Sequence, residues 1–169
     1  MNARVVAAAK VVVMGVAGSG KSSVARACAD RLGWPMVEGD DFHAPASVEK
    51  MKRGIALTDA DRQNWLERLR DLLHDTPAPI VLACSALRRS YREVLRQRSP
   101  DLRLVFLDID QATALQRVSG RRGHIFPSSL VASQFEALER PDGEPGVKVV
   151  DATRPLEEVV EEIVRWLAA

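Results

Sequence analysis

Two cysteines in 169 residues are too few for a disulfide framework. Cys28 falls on the apolar side of a helical stretch and Cys84 at the end of a strand-like run. Both read as core thiols in a reducing compartment. No apolar run approaches the length that spans a bilayer. The formal net charge is only +1, which gives no overall pull toward nucleic acid or an anionic membrane. Long linkers, internal repeats and low-complexity tracts are missing as well. The apolar patches of residues 1–13 run straight into a glycine-rich segment. Cleavage there as a signal peptide would damage that segment. These absences predict a single cytoplasmic domain over residues 1–169, with no nucleic-acid or membrane partner. Hydrophobic residues make up 46% of the chain, enough for a sizeable core.

What is present begins at Gly15. Residues 15–22 read G-V-A-G-S-G-K-S, directly after the apolar run Val11–Met14. Glycine, four free positions and Gly-Lys-Ser form the complete phosphate-binding loop pattern. Gly15, Gly18 and Gly20 let the backbone curl, so that successive N–H groups point at a polyphosphate. The helix that follows adds its positive end. Lys21 is positioned for the β and γ phosphates, and the Ser22 hydroxyl for Mg²⁺. The nucleotide side thus comprises Gly15, Ala17, Gly18, Ser19, Gly20, Lys21, Ser22 and Ser23.

Short apolar runs alternate with helical patterns. Strands are predicted at 10–14, 36–38, 79–84, 103–108 and 147–151. Helices are predicted at 20–32, 59–74, about 88–98, 110–120 and 128–139, with a last one opening at Pro155. Thr58-x-x-Asp61 is a capping-box-like start for the second helix. The alternation predicts an α/β fold, a parallel sheet with helices on both faces. Ligands of such sheets sit at the carboxyl ends of the strands. That rule selects Glu38–His43, Cys84–Arg88, Asp108–Asp110 and Asp151–Arg154.

Glu38, Asp40 and Asp41 concentrate negative charge just past a strand, a costly arrangement unless cations or hydroxyls offset it. Asp40 is the candidate for orienting and partly deprotonating an attacking hydroxyl. Glu38 lies two residues away on the same face of an extended segment and suits a water on magnesium. His43 suits substrate binding, or equally a surface or capping role. Ser85 is small and polar where a substrate would lie. Arg88 has the planar fork for a carboxylate or phosphate, and Arg53 closes a short helical segment able to cover the substrate. Arg89, Arg92, Arg96 and Arg98 read as a solvated helix face. Arg117, Arg121 and Arg122 lead into Gly123-His124-Ile125-Phe126-Pro127, a pattern for a lid at about 119–128 that carries arginines to the transferring phosphoryl group. Gln134 falls on an apolar helix face, where a buried amide needs partners. It suits structural satisfaction or a contact to a polar substrate. Asp40, Ser85, His43 and Gln134 offer hydrogen bonds to hydroxyls, and Arg53 and Arg88 offer cations to a carboxylate.

Several longer segments go further: L-T-D-A-D-R-Q-N-W-L at 57–66, C-S-A-L-R-R-S-Y-R at 84–92, G-D-D-F-H at 39–43, and Arg122-Gly123-His124 with Ser133-Gln134-Phe135. With the phosphate loop, they resemble the gluconate kinases of the small, shikimate-kinase-like P-loop type, over about residues 11–167. Glu38 departs from the pattern, which more often has aspartate there. The resemblance implies a three-layer α/β/α P-loop kinase with sheet order 2-3-1-4-5, ATP and Mg²⁺ as cofactors, D-gluconate as acceptor and a homodimer. It also implies that Arg117 and the segment ending at Arg154 border the adenine, and that His124 joins the substrate contacts. Other kinases of this fold, acting on shikimate or nucleotides, and a slow nucleotide-hydrolysing regulatory module are the alternatives.

Overall fold

The computed structural model describes residues 6–120 and 129–169. Its centre is one five-stranded sheet built from β1 (Lys10–Met14), β2 (Met36–Glu38), β3 (Ile80–Ala83), β4 (Arg103–Asp108) and β5 (Val147–Asp151). The order is β2-β3-β1-β4-β5 and every pairing is parallel. β1 is therefore central: Val12 sits opposite Leu82 on one side and Leu104 on the other.

A parallel strand covered on both faces reads as a continuous apolar run, because alternate residues each need a core. Val11 and Val13 join one core layer, with Val24, Ala25 and Cys28 of α1 (Lys21–Leu32) and Val160, Ile163 and Leu167 of α7 (Leu156–Ala168). Val12 and Met14 join the opposite layer, with Trp65, Leu66, Leu69 and Leu73 of α3 (Asp59–Asp75) and Tyr91 and Leu95 of α4 (Arg89–Arg96). Each such fully buried leucine contributes roughly 1.5–3 kcal/mol relative to exposure.

α2 (Pro45–Lys52) lies between β2 and α3. The Thr58 hydroxyl accepts from the Asp61 amide at 3.2 Å, and the Asp61 carboxylate accepts from the Thr58 amide at 2.9 Å. The capping box is complete, and Lys50 of α2 donates to the same carboxylate at 2.7 Å. α5 (Gln111–Ser119) and α6 (Ser129–Ala137) finish the helical layers. Helix and strand ends differ from the sequence expectation by one or two residues, within the ordinary fraying of such boundaries.

The expected solvated arginine face holds at Arg89 and Arg98 but is corrected at Arg92 and Arg96. Arg92 is 0% exposed, and its guanidinium meets Glu144 at 2.6 Å. Arg96 joins the same carboxylate at 2.9 Å. A buried guanidinium persists only with its donors satisfied, and Glu144 supplies that 52 residues downstream.

Candidate active site

The loop after β1 winds tightly: the Ser19 amide donates to Val16 O at 3.1 Å, and Gly20 caps α1 in a left-handed conformation. At Gly18, with φ +84°, a side chain would fall 2.5 Å from the Ala114 carbonyl oxygen, so the loop lies directly on α5. Arg117 of α5 fastens it further. Its guanidinium donates to Gly18 O at 3.3 Å and to Ala152 O at 2.9 Å, joining the loop to the segment after β5. Gln134 of α6 takes the Ala17 amide on its side-chain oxygen at 2.6 Å. Lys21 lies back along the loop with its ammonium 3.3 Å from Val16 O.

A cavity of about 410 Å³ opens beside this loop. That volume suits a small-molecule site. One wall is Ala17, Gly18 and Gly20–Ser23. The facing wall holds Asp40, Asp41, His43, Leu57 and Arg62, and Ser85, Ser133 and Gln134 close it from the sides. Glu38 ends β2 with its carboxylate accepting the Ser22 hydroxyl. Two oxygen donors suited to a hard cation thus meet beside the loop. Among the described residues, no cluster of three or more His, Cys, Asp or Glu could hold a metal alone. Magnesium fits this sparse set, since it is usually held by one or two protein oxygens together with phosphates.

Asp40 sits on the 3-10 turn Gly39–Phe42, with 61% of its side chain exposed and its carboxylate 3.4 Å from His43 Nε2. His43 is not a surface histidine: its side chain is 4% exposed and stacks on Trp65 at 4.1 Å, while its backbone amide caps the turn by donating to Asp40 O at 3.3 Å. Trp65 in turn donates from its indole to Gly39 O at 2.7 Å. Gly39 has no room for a side chain, which would come within 2.5 Å of Ala83 O. These contacts fix the turn that carries Asp40.

The arginines divide differently from the sequence expectation. Arg62 lines the cavity, donating to Leu57 O at 2.9 Å and lying 5.6 Å over the Tyr91 ring. Tyr91 donates to Asp59, which also draws Arg88 to 3.9 Å. Arg88 and Arg53 are not on the cavity wall, and Arg53 is exposed at the end of α2. Arg154 turns away from the loop to Glu162 of α7, at 2.7 Å, in a separate cleft. Arg121, Arg122 and His124 lie outside the described residues. Burial pushes the Cys84 thiol up to about 12, helped by the nearby Asp40 charge. Burial also raises Cys28 to about 12. Neither thiol has nucleophile character.

A family model described as an AAA domain matches residues 11–141. The gluconokinase of Gluconobacter oxydans (strain 621H) is 47% identical over 94% of this chain and 91% of that protein. The chain belongs to the gluconokinase family. The thermosensitive gluconokinase of Escherichia coli (strain K12) is 39% identical over 89% of this chain and 83% of that protein. A crystal structure of a gluconokinase from Sinorhizobium meliloti 1021 superposes with a TM-score of 0.89, at 45% identity, over 98% of this chain and 94% of that one. Within this gluconokinase-family fold, Arg62 is the site residue that sequence reasoning passed over. It stood inside the D-x-D-R segment at 59–62, but nothing local said that its helix turns it toward the cavity. No helix among the described residues is long and apolar enough to cross a membrane.

Proposed function

We propose that this chain transfers the γ-phosphoryl group of ATP to D-gluconate, giving ADP and 6-phospho-D-gluconate. The observation that carries the reading is the cavity itself: a phosphate loop with Lys21 on one wall, and Asp40, His43 and Arg62 on the other. The hydroxyl oxygen of gluconate forms the new P–O bond, the bond to ADP breaks, and the hydroxyl proton passes to Asp40. Asp40 is the general base, its side chain 61% exposed on the cavity wall. Lys21 offsets charge that builds on the β and γ phosphates. The loop amides and Arg117 hold the nucleotide side.

Magnesium, when bound, neutralises phosphate charge; Ser22, and Glu38 through water, would hold it. Arg62 takes the substrate carboxylate in this reading, in place of Arg53 and Arg88, because it is the one arginine on the cavity wall among the described residues. Ser85, His43 and Gln134 serve the hydroxyls, with His124 a further contact. Arg121 and Arg122 are the cations brought to the transferring group, in a lid at about 119–128 that excludes water. The protein acts as a cytoplasmic homodimer in the same reading.

A coupled assay for ADP, with and without gluconate, tests this. Shikimate and nucleoside monophosphates serve as alternative acceptors. ADP release should require gluconate, and a folded Lys21→Ala variant should nearly abolish it. Release at the same rate without any acceptor would overturn the reading.

A further inference from the structure

Ser85 lines the cavity, and the next residue, Ala86, has φ +46°, a left-handed conformation that a non-glycine residue adopts at a cost. The Ala86 carbonyl is taken by Arg92, whose Nη1 donates to it at 2.8 Å. The same guanidinium donates from Nη2 to Glu139 O at 2.9 Å, and pairs with Glu144 through Nε at 3.0 Å and Nη2 at 2.6 Å. A second strand of contacts runs in parallel: the Glu139 amide donates to Leu87 O at 2.7 Å, and the Arg89 amide to the Glu139 carboxylate at 3.0 Å. Arg92 thus ties the turn that carries Ser85 to the segment following α6.

Each tied part also touches the phosphate loop. The Ser85 carbonyl accepts the Gly15 amide at 3.3 Å, and Gln134 of α6 accepts the Ala17 amide at 2.6 Å. Loop, Ser85 turn and α6 with the segment after it form a closed ring of contacts, and the fully buried Arg92, beside the Glu139 contacts, closes it directly between the Ser85 turn and the α6 side. We infer that Arg92 is a positioning residue for the phosphoryl acceptor: by holding Ala86 left-handed, it sets Ser85 and the α6 wall at a fixed distance from the loop. A planar guanidinium suits the task because it serves two carbonyls and a carboxylate at once; a lysine ammonium lacks that fork. A side chain that merely filled the core would not need to meet both backbone carbonyls.

The choice of acceptor rests on the gluconate reading; the ring of contacts does not. Three full-length variants test the inference: Arg92→Lys, Glu144→Gln, and Arg92→Lys combined with Ala86→Gly. In folded Arg92→Lys, kcat/KM for gluconate should fall roughly 100-fold, the scale of an ångström misplacement, with ATP affinity changed far less. Glu144→Gln, which keeps the shape, should show a smaller loss in the same direction. Glycine adopts φ +46° without strain, so Ala86→Gly should restore part of the loss. Without any ligand, amide exchange in residues 84–90 should speed up in both single variants. Wild-type turnover with gluconate reports on the acceptor reading, and exchange reports on Arg92 even if that reading fails. If Arg92→Lys does not fold, Glu144→Gln decides. Wild-type exchange at 84–90 together with unchanged kcat/KM in a folded single variant would overturn the inference, leaving Arg92 a core ion pair only.

Discussion

Replacing Gly18 by alanine separates two costs that are usually confounded. The first is conformational. At φ +84° an L-residue is strained by roughly 1–2 kcal/mol. In a protein of this size that corresponds to a fall in Tm of about 2–8 °C. The second is steric. The new methyl would lie 2.5 Å from Ala114 O, against 3.4 Å for ordinary contact. The methyl is fixed rigidly to the loop backbone and its partner is a backbone carbonyl, so the phosphate loop must lift off α5 by nearly an ångström. Gly33 provides the matched control. It caps α1 at φ +69°, yet a methyl there meets nothing within 4 Å. Gly33→Ala should therefore lose a few degrees of Tm and keep its kinetics. Gly18→Ala should lose at least as much stability and, in addition, roughly 100-fold in kcat/KM for ATP. Differential scanning calorimetry and initial rates on the two variants give both numbers. If Gly18→Ala retains kcat/KM for ATP to within about twofold, the contact with α5 does not set the loop's position and the argument fails.

Asp40→Asn should lower kcat by roughly 10²–10⁴-fold while ATP affinity changes little; an effect confined to KM for ATP would move Asp40 to the nucleotide side. Arg62→Gln should raise KM for gluconate by roughly 10–100-fold, the worth of one charged hydrogen bond, whereas Arg53→Gln should leave it unchanged. The reverse order would assign the carboxylate to Arg53. Asp61 is held down at about 2 by Lys50 first and then by the Thr58 amide, against 3.8 ordinarily. The unfolded chain therefore binds this proton more readily, so the contribution of Asp61 is complete above pH 3.8 and lost as pH falls through 2. Urea midpoints of wild type and Asp61→Asn should differ at neutral pH and converge across that window; a constant difference would refute the assignment.

The framework was legible because its signals are local. The unbroken Val11–Met14 run says that both faces of β1 are covered, and Thr58-x-x-Asp61 marks the start of α3 within four residues. Gly15–Ser22 encodes its own conformation through glycine placement. The arginines were harder. Arg92 and Arg98 carry the same charge on neighbouring turns, but Arg92 is buried because Glu144 comes to it across the fold, while Arg98 stays half exposed against Asp71. No window of sequence contains that difference. Arg154 follows a strand end, as the ligand rule asks, yet Glu162 two turns along α7 captures it. Arg62 was hidden by the opposite effect: its motif was visible, but its direction depends on the packing of α3 and on Leu57 O.

The central place of β1 has a consequence for biosynthesis. Its two neighbours in the sheet are Ile80–Ala83 and Arg103–Asp108, both encoded far downstream. A ribosome adding about 5–20 residues per second exposes Val11–Met14 for roughly 5–20 seconds before the last of these partners has been translated. Throughout that interval the nascent chain carries four residues, Val11–Met14, that are fully buried in the finished molecule, with no sheet to receive them. The phosphate loop is thus made before the strands and helices that hold it, and it can take its shape only after them.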